Sequence, residues 1–368
     1  MPIDVARSKL KQGRGVIERY REYLPISDST PTVSLGEGNS PLVYSVKLSA
    51  RVGRACEVFV KNEGVNPTGS FKDRGMTVAV SKALESKARA LICASTGNTS
   101  ASAAAYAARA GMPCAVILPA GKIASEKLLQ ASVCEAKIVA IEGNFDDALR
   151  IVRELGGQSD FAIVNSVNPD RIAGQKTAAF EIIDLLGDAP DFHLLPLGNA
   201  GNMTAYWAGY REYQAQGKST KLPAMIGLEA ADAAPIFHRR IIKKPETIAS
   251  AIRIGNPASW KQAQAAIDES NGAVDVVSDK EIIDAQLWLA QREGIFVELA
   301  SAAAIAGLFK CCDSRDAAHS FQKIPEGSRI VCTVTGHGLK DSDAFTKRMG
   351  DLKPVPARKE DVLRAIGL

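Results

Sequence analysis

The chain has 368 residues, 46% of them hydrophobic and 23% charged. At roughly 150 residues per domain, that length suggests two domains or three, and the composition is that of a folded globular protein rather than a disordered one. Forty-five Lys and Arg stand against 41 Asp and Glu, a net +4, too weak and diffuse for a nucleic-acid surface. No apolar run approaches the roughly 18 residues that cross a bilayer.

Met1 to Tyr23 lacks the continuous apolar core of a signal peptide, and Asp4, Glu18 and Glu22 make it too acidic for a transit peptide. The expected compartment is the cytoplasm. The seven cysteines form no Cys-x-x-Cys pair, and Cys93 and Cys332, inside apolar runs, read as buried structural thiols. The four histidines stand at positions 193, 238, 319 and 337, so none is four residues from another. That gives zinc catalysis little support, and no metal is expected.

Short β-branched runs alternate with Ala-rich helical stretches along the chain. A strand is predicted at Val58–Lys61. After it comes Lys61-Asn-Glu-Gly-Val-Asn-Pro67-Thr68-Gly69-Ser70-Phe71-Lys72-Asp73-Arg74-Gly75. Ser70 suits the N-cap of a helix running through Met76–Ser86. Lys72 then falls in the first turn, where the helix dipole disfavours its ammonium form and favours an amine nucleophile. Asp73 and Arg74 can pair locally. The same run also suits a solvated first turn carrying a charge cluster.

The strand Ala90–Ala94 leads into Ser95-Thr-Gly-Asn-Thr-Ser-Ala-Ser-Ala-Ala-Ala-Tyr106. Its crowded hydroxyl and amide groups form either an anion nest or a serine-rich N-cap ahead of close helix–sheet packing. Strands follow at Ala115–Leu118 and Lys137–Ile141, then an amphipathic helix at Asn144–Leu155 and a strand at Ala162–Asn165. The next turn, Asn165-Ser166-Val167-Asn168-Pro169-Asp170-Arg171, opens a helix through Leu186 with Ile172, Phe180, Ile183 and Leu186 near one stripe. A guanidinium there suits an anion, and an Asx turn with a surface arginine fits equally.

The strand His193–Leu197 ends in Gly198-Asn199-Ala200-Gly201-Asn202 before a helix at Met203–Gln216. Small residues there let backbone N–H groups approach a phosphate, although the loop is neither Gly-x-Gly-x-x-Gly nor a nucleoside-triphosphate loop. Strands at Met225–Leu228 and Ile330–Thr335 complete the series, the last running into Gly336-His-Gly-Leu-Lys-Asp341. Strand–helix alternation argues for α/β architecture with parallel sheets covered on both faces. The polar turns at the carboxyl ends of the strands point to one crevice. Domain breaks are expected near residues 60 and 165. A reactive lysine, a phosphate cradle and a carboxylate nest are together what pyridoxal phosphate needs.

The motifs carry a resemblance. Asn66-Pro-Thr-Gly-Ser-Phe-Lys72-Asp-Arg-Gly resembles the lysine signature of fold-type II pyridoxal-phosphate enzymes, in particular the threonine synthase family. Ala94-Ser-Thr-Gly-Asn98-Thr-Ser-Ala-Ser, Gly198-Asn-Ala-Gly-Asn202, Ile252-Arg-Ile-Gly-Asn-Pro-Ala-Ser259 and Thr335-Gly-His-Gly-Leu-Lys-Asp341 look like that family's other blocks, in its order. With Gly36-Glu-Gly-Asn-Ser-Pro-Leu42 the match spans some four-fifths of the chain. Dehydratases of this fold usually carry an all-Gly phosphate loop, and cysteine synthases a Gly-Thr-Gly-Gly-Thr loop. Ser40 departs mildly from the family, where Thr is frequent.

The resemblance implies two parallel-sheet domains with the active site in the crevice between them. The larger, phosphate-binding domain would comprise 1–60 plus 165–345, and a smaller mobile one 61–164, with 346–368 as a tail. It implies conversion of O-phospho-L-homoserine and water to L-threonine and inorganic phosphate by a cytoplasmic homodimer with pyridoxal 5′-phosphate as cofactor. Lys72 would carry the cofactor as a Schiff base and move protons. Asn98 would bond its 3′-oxygen, Gly198, Asn199, Ala200, Gly201 and Asn202 its phosphate, and Thr335 its pyridine nitrogen. Ser95, Thr96 and Thr99 would receive the substrate carboxylate and part of its phosphate. Asn165, Ser166 and Arg171 would complete the substrate-phosphate pocket. The rivals are a serine/threonine dehydratase, a ligand-sensing protein that kept the fold without the chemistry, and an NAD dehydrogenase, the last weakened by the missing Gly-x-Gly-x-x-Gly.

Overall fold

A computed structural model describes residues 15–120, 126–156, 160–313, 324–341 and 354–367. His319, the first 14 residues and part of the expected tail, 346–353 and 368, lie outside the described residues. Among the described residues, ten strands form two sheets. In chain order they are β1 Leu42–Tyr44, β2 Glu57–Asn62, β3 Ala90–Ala94, β4 Cys114–Pro119, β5 Lys137–Ile141, β6 Phe161–Ile163, β7 Phe192–Pro196, β8 Ala224–Ala230, β9 Ala273–Val277 and β10 Arg329–Val334. The six-stranded sheet runs β1-β2-β10-β7-β8-β9, and the four-stranded sheet β5-β4-β3-β6. All pairings are parallel except that of β1 with β2. The chain leaves the larger sheet after β2 and returns to it at β7.

The helices are α1 Val16–Tyr20, α2 Val46–Val52, α3 Lys72–Glu85, α4 Asn98–Ala110, α5 Glu126–Val133, α6 Phe145–Gly156, α7 Pro169–Leu186, α8 Gly201–Ala215, α9 Trp260–Glu269, α10 Asp279–Glu293, α11 Leu299–Asp313 and α12 Lys359–Ile366. Helices on both faces bury the central strands, as parallel sheets require; Val58, Val60, Leu91, Cys93 and Cys332 lose essentially all solvent contact. The two cysteines are thus the buried thiols the sequence predicts. Predicted strands agree with the observed ones to within one or two residues. The exceptions are β1 and β9, which the sequence reading does not anticipate.

The contact that matters most for the site is α3 against α7. Gly75 and Gly174 allow it: a Cβ on Gly75 would lie 2.5 Å from the Arg171 carbonyl oxygen, and one on Gly174 2.0 Å from that of Arg74. Only glycine fits there, so the two helices bring Lys72 and Arg171 together. Two expectations about this region change. Ser70 does not cap α3; Phe71 stands at the N-cap without a side-chain bond, and the buried Ser70 hydroxyl has no partner among the described residues. Asp73 does not pair with Arg74. It accepts from the Thr68 backbone N–H (2.7 Å), the Thr68 hydroxyl (2.6 Å) and the Ser102 hydroxyl (2.6 Å). Arg74 bridges Glu63 and Glu181, both at 2.6 Å, and Lys61 joins Glu181 at 2.7 Å. Buried charges must be paired, and here each finds its partner on another segment of the fold.

Candidate active site

The carboxyl ends of strands from both sheets face one cleft of about 170 Å³ that opens to solvent. Lys72, Ser95, Thr96, Asn98, Thr99, Asn165, Ser166, Thr335 and the whole loop Gly198–Asn202 line it. Arg171 is the exception among the expected site residues. It is fully buried and absent from the cleft wall, which rules out the surface-arginine reading. Its Nη1 donates to the Val164 carbonyl at 2.7 Å, while Nε and Nη2 have no partner among the described residues. Asn168, not Arg171, opens α7, accepting from the Asp170 N–H at 2.8 Å.

Lys72 is the first residue of α3, with its ammonium 4.2 Å from the centroid of the Phe71 ring. Burial, and then the Arg171 charge, push its pKa down to about 7; the Glu298 carboxylate works the other way. Much of the side chain is therefore a neutral amine near neutral pH, as a nucleophile must be.

The loop after β7 is a cradle. Ala200 adopts φ +64°, left-handed backbone that a residue with a Cβ holds only where its surroundings impose it. It is the N-cap of α8 and makes no side-chain bond, so the first N–H groups of that helix face the cleft without intrahelical carbonyl partners. A Cβ on Gly198 would lie 3.0 Å from the Ala251 carbonyl oxygen, so the loop presses against the segment 250–252. The Asn199 carbonyl accepts from the Ser259 N–H at 3.2 Å, anchoring the turn that ends the Ile252–Ser259 block. The Asn202 amide nitrogen is buried with no partner among the described residues.

Opposite the cradle, Asn165 is fixed on the Ala94 backbone, accepting from its N–H at 3.0 Å and donating to its carbonyl at 2.9 Å. This holds the end of β6 against the Ser95 turn. The Ser95 hydroxyl accepts from the Gly97 N–H at 3.1 Å. Asn98 begins α4; its Nδ2 donates to both oxygens of Glu298 (3.1 and 2.9 Å), and its Oδ1 is buried without a partner among the described residues. The Thr335 hydroxyl donates to Glu298 at 3.2 Å and lies 2.9 Å from the Ser301 hydroxyl. Glu298 and Ser301 escape the sequence reading. The one signal is an acid preceding the apolar run that becomes α11.

A half-buried amine of lowered pKa, a helix-start anion cradle and a polar turn, at the junction of two parallel sheets, define a pyridoxal-phosphate site. The profile of the family described as "Pyridoxal-phosphate dependent enzyme" matches residues 33–336. The fold resembles that of maize serine racemase, with a TM-score of 0.70 at 19% identity over 84% of this chain and 92% of that one. A threonine synthase of Synechocystis is 54% identical over 338 residues, 92% of this chain and 86% of its own length. One from Mycobacterium tuberculosis is 54% identical over 357 residues, 96% of each chain. The chain belongs to the threonine synthase family, within the fold-type II enzymes that depend on pyridoxal 5′-phosphate.

The residues present fit that cofactor. The unpartnered Asn202 amide and Asn98 Oδ1, the α8 N-terminus and the low-pKa Lys72 supply donors, an acceptor and an amine within one cleft. Among the described residues no group of His, Cys, Asp and Glu is arranged to hold a metal ion, and no helix is long and apolar enough to cross a membrane.

Proposed function

We propose that the protein is a carbon–oxygen lyase that converts O-phospho-L-homoserine and water to L-threonine and inorganic phosphate. The observation that carries this is the pairing of Lys72 with two separate anion sites. One is the cradle at Gly198, Asn199, Ala200, Gly201 and Asn202. The other combines Ser95, Thr96 and Thr99 with Asn165, Ser166 and the half-unpartnered Arg171. A cofactor phosphate occupies the first, which leaves the second for a substrate that carries both a carboxylate and a phosphate. A dehydratase acting on serine or threonine needs no second phosphate site.

When bound, pyridoxal phosphate supplies the electron sink for a carbanion beside the amino-acid nitrogen. Lys72 would hold the cofactor, and its amine could move protons at the substrate α and β carbons; a pKa near 7 suits both directions. Asn98 would hold the ring at its 3′-oxygen and Thr335 at its nitrogen. Ser95, Thr96 and Thr99 receive the substrate carboxylate and part of its phosphate. Arg171, set behind the wall, attracts the phosphate by charge.

The smaller sheet supports a mobile unit of residues 61–164 against a larger one of 1–60 plus 165–345, with 346–368 as a tail. It would close over the substrate to control the single water admitted. The working form we propose is a cytoplasmic homodimer. The test is phosphate release from O-phosphohomoserine compared with ketoacid formation from threonine and serine. Phosphate release with little ketoacid supports this reading; ketoacid from threonine with no phosphate release makes the protein a dehydratase.

A further inference from the structure

Glu298 has no role in the account so far, yet it stands at the centre of the cofactor side of the cleft. It is fully buried and immediately precedes α11, with its carbonyl accepting from the Ala302 N–H at 3.3 Å. A buried carboxylate is costly unless its oxygens are satisfied. Here they are satisfied by the two side chains that face the cofactor ring, Asn98 at 3.1 and 2.9 Å and Thr335 at 3.2 Å. Those two residues come from different sheets: Asn98 follows β3 of the smaller and Thr335 follows β10 of the larger. One carboxylate therefore sets their separation.

The surroundings are built around it. The Glu298 backbone N–H donates to the Gly336 carbonyl at 2.9 Å. A Cβ on Gly336 would lie 2.5 Å from the Glu298 carboxyl carbon and Oε1, so a glycine there leaves room for the acid. Ser301 accepts from the Thr335 and Gly336 N–H groups, both at 2.8 Å, and holds Thr335 from the other side.

We propose that Glu298 is a further positioning residue of this site, one that fixes Asn98 and Thr335 in register with the cofactor ring and puts its carboxylate in the wall of the cleft that Lys72 also lines. It rests on the cofactor reading above. Two consequences separate it from a filler role. The charge favours the protonated Lys72 nitrogen in the loaded enzyme. The two tethers slow the loss of the cofactor.

The experiment follows the holoenzyme of wild type, Glu298→Gln, Glu298→Asp, Asn98→Ala and the Asn98→Ala/Glu298→Gln double variant. Two quantities are read: the pH midpoint of the bound cofactor's visible band, and the rate at which pyridoxal phosphate is lost on dialysis. Glu298→Gln keeps the shape and removes the charge. Its midpoint should fall by about one unit or more, the size expected for losing a nearby opposite charge. Its cofactor loss should be about tenfold faster, and this acceleration should largely vanish in the Asn98→Ala background, because the carboxylate acts through Asn98. Glu298→Asp, which keeps the charge, should keep a midpoint near wild type. If Glu298→Gln does not fold, Glu298→Asp carries the retention test, since its shorter reach breaks the Asn98 tether. A Glu298→Gln midpoint and loss rate equal to wild type overturns the inference, as does a Glu298→Asp protein that retains cofactor as wild type does when Gln does not fold. A wild-type protein that never shows a visible band refutes the cofactor reading instead.

Discussion

Replacing Arg171 by Met removes a buried charge while filling most of the same space. One guanidinium N–H is satisfied, by the Val164 carbonyl at 2.7 Å, and two nitrogens lack partners among the described residues. A guanidinium so placed is poorly used unless an anion arrives. Breaking a desolvated, hydrogen-bonded charge pair costs about 2–5 kcal/mol, and a charge acting from behind the wall reaches only the low end, about 2 kcal/mol. That corresponds to a loss of roughly 30-fold in kcat/KM for a phosphorylated substrate. Threonine carries no phosphate, so its residual deamination should change far less. A second effect runs through Lys72, whose ammonium form Arg171 disfavours. In Arg171→Met the Lys72 pKa rises, and the acidic limb of the pH–rate profile should move to higher pH. The assay measures phosphate from O-phosphohomoserine and ketoacid from threonine side by side, across pH. Equal losses on both substrates, or none on either, would place Arg171 in the scaffold and refute the reasoning.

Gly75→Ala drives a methyl to within 2.5 Å of the Arg171 backbone; about 1–3 kcal/mol of stability should be lost in a denaturant titration, with a larger relative loss of turnover. A stable, fully active variant would show that the α3–α7 spacing is not critical. His193 is buried between Thr333 (2.7 Å) and Tyr210 (2.9 Å), and burial holds its pKa down at about 3. The unfolded chain binds the proton first, so this group's stability contribution is present above about pH 6.5 and is lost as pH falls towards 3, at roughly 1.4 kcal/mol per unit. His193→Gln should lower that slope by one proton's worth, and an unchanged slope would contradict it. Hydrogen exchange with and without a non-reactive phosphonate analogue should show protection at both Ser95–Thr99 and Asn165–Arg171; protection at Arg171 alone would remove closure while leaving the enzyme assignment standing.

The strands were legible where apolar residues are continuous, as in Leu91–Ala94 and Ile330–Val334. The three-residue β1 and the Asp-interrupted β9 give no such run; both are edge strands, paired on one side only, with β2 and β8. The strand-end turns were legible because Gly, Asn and Thr have a local reason to follow a parallel strand. Side-chain partnerships were not. Asp73 and Arg74 are adjacent and opposite in charge, yet burial sends one to Thr68 and Ser102 and the other to Glu63 and Glu181. Glu298 was invisible because its meaning lies in Asn98, 200 positions away, and in Thr335. Arg171 was singled out for its charge, but its burial and its nearness to Lys72 depend on Gly75 and Gly174.

The central claim is that Lys72 carries the cofactor, and borohydride reduction of the holoenzyme followed by peptide mass mapping tests it most directly. Reduction should bleach the visible band and add one pyridoxyl phosphate group to the peptide containing Lys72, with no such addition and no turnover in Lys72→Ala. A label on a different lysine, or an equally active Lys72→Ala protein, would contradict it.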